Sequence, residues 1–108
     1  MIKLDEKYLQ MVRDILGRHV SQCEVRLFGS RFRGTSRPYS DIDLALVAVE
    51  KLDDIRISNL KVAFAESDLP YRVDVLDWQA ISPEFRKVIE ETGYEVIQKP
   101  NMNGQRHS

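Results

Sequence analysis

The stretch Phe28-Gly29-Ser30, followed after a short spacer by Ser40-Asp41-Ile42-Asp43-Leu44-Ala45-Leu46-Val47, sets two carboxylates one residue apart in an apolar run behind a Gly-Ser turn. On an extended strand residues i and i+2 share a face, so Asp41 and Asp43 point one way and Ile42, Leu44 and Leu46 the other. Such a strand needs a core beneath it and something cationic above it. At a separation of about 5 Å and an effective dielectric near 20, the two charges repel by roughly 3 kcal/mol, a large share of a small domain's net stability. Magnesium suits the position, because it prefers oxygen ligands and is typically held by one or two carboxylates plus substrate phosphates. A half-exposed edge strand with solvated aspartates is the alternative that the pair alone leaves open.

The rest of the chain supplies the elements to build around that strand. Tyr8, Leu9, Val12, Ile15 and Leu16 recur at helical spacing between Asp5 and His19, with Asp5 placed to cap the helix. Cys23 to Phe28 alternates around Val25 and Leu27 and ends at Gly29-Ser30, as a strand entering a tight turn does. Ser30 then caps a short helical segment beginning near Arg31, and the Gly-, Ser-, Arg- and Pro-rich run from Gly34 to Ser40 reads as a loop before a strand from Ile42 to Val49. A second long helix is expected from Asp53 to Glu66, closed off by Leu69-Pro70.

Tyr71 to Leu76 reads as another strand, with Asp74 interrupting its β-branched residues Val73 and Val75. Ser82-Pro83-Glu84 gives a cap, a first-turn proline and an acidic residue in the order that opens a helix. Phe85, Val88 and Ile89 are expected to face its core, and Gly93 to end it. Tyr94 to Ile97 is a final strand or coil. The polar residues from Lys99 to Ser108 read as a disordered tail, leaving one domain over residues 1–98. Helix, strand, strand, helix, strand, helix implies an α/β (α+β) fold, a small mixed sheet flanked by helices.

Composition excludes several classes. The 108 residues support one domain, and a formal charge of −1 argues against a general nucleic-acid or membrane-surface binder. No apolar run of membrane-spanning length or signal core is present, and Cys23 is the single cysteine, expected as a buried apolar residue. The reading is cytoplasmic. His19 and His107 lack the spacing of a zinc site, Trp78 reads as core or interface with base stacking as its other use, and Asp68 and Asp77 read as caps, turn residues or solvated charges.

If the third strand lies beside the second, Asp74 joins Asp41 and Asp43 at one sheet edge. Three carboxylates can hold two magnesium ions roughly 4 Å apart, a clamp for in-line phosphoryl displacement. Gly29 allows close backbone approach to a ligand, while Ser30 and nearby N–H groups suit phosphate oxygens, with Arg31 and Arg33 adding charge. Asp74 could instead merely pair with Arg72, two residues away on the same face.

Together Gly29-Ser30, the spacer, Ser40-Asp41-Ile42-Asp43-Leu44 and the later Asp74 resemble the DNA polymerase β-type nucleotidyltransferase superfamily. The chain's shortness and the run Leu69-Pro70-Tyr71-Arg72-Val73-Asp74-Val75-Leu76-Asp77-Trp78 resemble its minimal nucleotidyltransferase (MNT) branch, over roughly residues 8–97. The resemblance implies that Gly29 and Ser30 hold a nucleoside triphosphate, ATP or another, with Arg31 and Arg72 as further contacts. It implies that Asp41 and Asp43 bind both Mg2+ ions and that Asp74 completes the catalytic metal's shell and helps deprotonate an acceptor hydroxyl. It further implies a HEPN-type helical partner protein, encoded nearby, as the acceptor in a toxin-antitoxin pair, with homo- or hetero-oligomers possible. Two other functions stay open: a non-catalytic nucleotide-binding module that neutralises its partner by contact, and an aminoglycoside-type small-molecule nucleotidyltransferase.

Overall fold

The computed structural model describes residues 4–29 and 41–101. Its elements are α1 (Glu6–His19), β1 (Glu24–Phe28), β2 (Ile42–Val47), α2 (Asp54–Ala65), β3 (Val73–Asp77), α3 (Pro83–Thr92) and β4 (Tyr94–Gln98). The strands form one mixed sheet in the order β3-β2-β1-β4. β1 is antiparallel to both β2 and β4, whereas β2 and β3 run parallel. A parallel neighbour requires a crossover, and α2 provides it.

One sheet face is dry. Val25 and Leu27 of β1, Ile42, Leu44 and Leu46 of β2, Val75 of β3 and Ile97 of β4 pack with Leu9, Val12 and Leu16 of α1 and Leu60 and Phe64 of α2 in one buried cluster. Cys23 lies in the same cluster, and burial, followed by the charge of Asp77, pushes its thiol up to about 11. As expected from the sequence, it is a small core residue.

The local signals act as chemistry says they should, with two exceptions. Ser82 Oγ accepts from Phe85 N at 3.1 Å and Asp53 Oδ1 from Arg56 N at 2.7 Å, each satisfying an orphan first-turn N–H. Gly93 ends α3 at φ 101°, a backbone region that suits glycine, while its N–H bonds Ile89 O at 2.9 Å. Asp5 occupies the cap position of α1 but makes no side-chain cap bond there. The second exception is α3: of the three residues expected in the core only Ile89 is buried, while Phe85 is 38% and Val88 50% exposed. α3 follows β3, an edge strand of the four-stranded sheet, and covers only part of the second face. One turn therefore suffices to anchor it.

That second face carries Ala45, Trp78 and Ile89 as a smaller buried cluster, flanked by Phe28, Leu76 and Tyr94. Ala45 lies directly opposite Arg26, whose guanidinium sits 4.7 Å from the Trp78 ring centre and 4.5 Å from that of Tyr94. A larger side chain at Ala45 would compete for this space, which accounts for a small residue in a run of branched ones. Arg86 holds Trp78 from another side, with its Nε donating to Trp78 O at 2.9 Å.

Candidate active site

The site begins with register. On the second face Asp43 is paired with Asp74 of β3 on one side and with Phe28 of β1 on the other, and Phe28 is in turn paired with Tyr94 of β4. Facing residues on neighbouring strands share a face, with strands about 5 Å apart, so Asp74, Asp43, Phe28 and Tyr94 form a row across the sheet. The adjacency of β2 and β3, expected from the sequence only as a condition, is present. It joins carboxylates 31 positions apart in the chain, with Ile42 N donating to Arg72 O at 2.9 Å to lock the start of the pairing.

Gly29 follows Phe28 at the end of this row with φ +79°, and a Cβ built there would lie 2.5 Å from Asp43 Oδ2. A side chain is thus refused twice, by backbone conformation and by a carboxylate. The turn brings its backbone against the acid, which is the close approach a phosphate-holding loop needs.

Asp43 is held above the usual carboxylate range. Burial is the first cause, then the charge of Asp74, then that of Asp41, which immediately precedes β2 and is half-buried. A site that resists ionising because its own neighbours are negative is one that a cation would relieve. Oxygen donors with no nitrogen or sulfur select a hard cation such as Mg2+. Together with the cradle at Gly29, these groups fit magnesium with phosphate. Among the described residues no three His, Cys, Asp or Glu side chains are gathered into a ready ligand set.

Asp74 is engaged by Arg72, Nε to Oδ1 at 3.4 Å, with both side chains well exposed at 76% and 43%. An exposed pair of this kind contributes only about 0.2–1 kcal/mol, so a ligand can take either partner. Ser30, Arg31 and Arg33, the helical segment expected near Arg31, the loop from Gly34 to Ser40 and the tail beyond Asn101 lie outside the described residues.

A further carboxylate fills one of its expected roles, that of a turn residue, and does so out of solvent. Asp77 is buried at 6% exposure, accepting from Leu52 N at 2.9 Å through Oδ2 and from Gln79 N at 3.0 Å through Oδ1. It ties the loop before α2 to the end of β3 and takes no part in the acidic row. Only the dipeptide Asp77-Trp78 after a strand hinted at a turn there; its burial had no sequence signal. A cavity of about 670 Å3, lined among others by Glu24, Val47, Leu52, Arg56 and Pro100, opens at the other end of the β1–β2 pair from Gly29 and Asp43.

A mixed sheet with two in-register aspartates on neighbouring parallel strands, beside a glycine turn, is an arrangement suited to nucleotidyl transfer. The Polymerase beta, Nucleotidyltransferase family model matches residues 10–101, and the chain belongs to that family. Over 98 residues it is 47% identical to the probable protein adenylyltransferase MntA of Haemophilus influenzae, covering 91% of this chain and 83% of that protein. Among solved structures it resembles a chain of a toxin-antitoxin complex with AMP-PNP, with TM-score 0.71 and 24% identity over 91% of this chain and 78% of that one. It also resembles a chain of the tri-AMPylated Shewanella oneidensis HEPN toxin in complex with MNT antitoxin, with TM-score 0.67 and 22% identity over 96% and 79%. At such identities these two show the shared fold. No helix among the described residues is long and apolar enough to cross a membrane.

Proposed function

We propose that this chain is a magnesium-dependent adenylyltransferase that moves AMP from ATP to a hydroxyl of a HEPN-type helical protein, acting as the antitoxin of that pair in the cytoplasm. The catalytic unit is residues 1–98. The observation that carries the reading is the Asp43–Asp74 register with Gly29 folded against the Asp43 carboxylate. The MntA relative, itself named a probable protein adenylyltransferase, and the likeness to a complex of an AMPylated HEPN toxin support the acceptor.

In this reading Asp41 and Asp43 would hold the magnesium ions, with Asp74 completing the set. Magnesium, when bound, supplies neutralising charge for the triphosphate and the developing oxyanion. The Gly29 turn, with Ser30 and Arg31, receives the phosphates. Arg72 exchanges its contact with Asp74 for a phosphate oxygen, which frees the Asp74 carboxylate to accept the acceptor's proton. The acceptor oxygen bonds to the α-phosphorus, the bond to the pyrophosphate oxygen breaks, and pyrophosphate leaves with that electron pair.

The test is transfer of label from α-labelled ATP to a co-expressed HEPN protein. Asp41→Asn and Asp43→Asn should each lower transfer by about 10²–10³-fold or more, the scale for removing a group that stabilises transition-state charge. If Asp43→Asn protein still protects cells from the partner at full strength, neutralisation is by contact and the catalytic account fails.

A further inference from the structure

The row that holds the two carboxylates continues into aromatic rings, and beside it one further ring is left partly exposed. Of the rings on the second face, Trp78 is 7% exposed and carries Arg26, with Arg86 5.7 Å from its centre. Tyr94 is likewise taken up by Arg26. Phe28 is partly buried, packed against the Ala45–Trp78 cluster. Phe85 alone among them remains 38% exposed, in the first turn of α3, where the Ser82 cap fixes the backbone. Its ring meets Phe28 at 6.4 Å and 81°, and Phe28 is the register neighbour of Asp43.

We infer that Phe85, braced by Phe28, is the platform on which the base of the bound nucleoside triphosphate stacks. The inference rests on the nucleotidyltransfer reading above and adds to it the residue that holds the nucleoside. Its side of the site follows from where the phosphates rest. Asp74, the proton acceptor, lies on the β3 side of Asp43, so the attacking hydroxyl arrives there. Gly29 and Phe28 lie on the β1 side, so a triphosphate received at Gly29 brings its nucleoside beside Phe28 and the ring packed on it. An apolar ring packed on Phe28 and 38% exposed leaves area on which a base can stack. Stacking of this kind tolerates every base, so Phe85 supplies affinity with little choice among ATP and other nucleoside triphosphates.

The experiment compares binding of Mg-ATP and of magnesium with inorganic tripolyphosphate, by calorimetry, to wild-type protein, Phe85→Ala, Phe85→Leu and Phe85→Tyr, with urea melts alongside. Phe85→Leu keeps apolar volume without a π-face, so it answers the question even if Phe85→Ala folds poorly. Expected are about tenfold weaker ATP binding in the Ala and Leu variants, unchanged tripolyphosphate binding, and near wild-type ATP binding in the Tyr variant. Unchanged ATP affinity in Phe85→Leu overturns the inference, as does equal weakening of both ligands. Unchanged ATP affinity with a raised KM for the acceptor protein overturns it too, and gives the ring to the acceptor. Wild-type protein that binds neither ligand removes the nucleotidyltransfer reading itself, a failure distinct from all of these.

Discussion

The two faces of the one sheet solve opposite problems. On the first, β-branched and leucine side chains from all four strands meet α1 and α2, and the one buried charge, Asp77, is held by the backbone N–H groups of Leu52 and Gln79. On the second, the same strands present Asp74, Asp43, Arg26 and Glu24 among aromatic rings, with α3 covering only part. Alternation along each strand makes this division possible, because adjacent residues point to opposite faces. The lesson of the contrast is that stability is concentrated on one side so that the other can carry unfavourable charge.

The largest effect that could break the comparison lies on the dry face. Leu44 is fully buried between Leu27 of β1 and Val75 of β3, and Leu44→Ala should cost about 2–5 kcal/mol in urea unfolding. A cost below about 1 kcal/mol would show that this face is not where the fold's stability resides. Next comes Gly29→Ala, which places a methyl group against the Asp43 carboxylate at a positive φ. It should lose about 1 kcal/mol or more of stability and a larger share of ATP binding, read by melts and calorimetry on the same sample.

The smallest effect sharpens the comparison most, because its sign is unusual. Asp43 has its folded-state pKa raised by burial, Asp74 and Asp41, so the folded protein holds that proton more tightly than the unfolded chain does. The stabilisation this gives is complete below the ordinary carboxylate value of about 3.9 and is lost as pH rises through the folded value. At pH 7 without magnesium the ionised carboxylate is therefore a burden. Asp43→Asn should be more stable than wild type in EDTA at pH 7, with the gain fading as pH falls through the raised folded value and gone below about 4. A variant less stable than wild type at pH 7 would mean that Asp43 is a structural partner and no reservoir of repulsion.

Much of this was legible in the chain because the signals are local. The Asp41-Ile42-Asp43 alternation, the Ser82-Pro83-Glu84 opening and the Gly93 stop each depend on dihedral preferences and hydrogen bonds within a few residues, and each appears where expected. Strand limits were less legible: β2 stops at Val47, two residues short, and β3 begins at Val73 and runs to Asp77. Pairing partners set those limits, since a strand extends only while a neighbour offers ladder bonds. Phe85 and Val88 were misplaced for a related reason. Helical periodicity says which residues share a face, and it is silent on whether anything covers that face.

By itself the sequence determined the apolar stripe of α1, the alternation of β1 and β2, the helix caps and the acidic pair behind a glycine turn, because each is encoded in neighbours along the chain. Tertiary structure alone decided that β3 lies parallel beside β2, so that Asp74 stands against Asp43. It also decided that Asp77 is buried as a loop tether and that Phe85 is left partly bare beside Phe28. Those outcomes depend on how a crossover helix and a short terminal helix pack on a finished sheet, and packing joins residues that sequence order keeps apart.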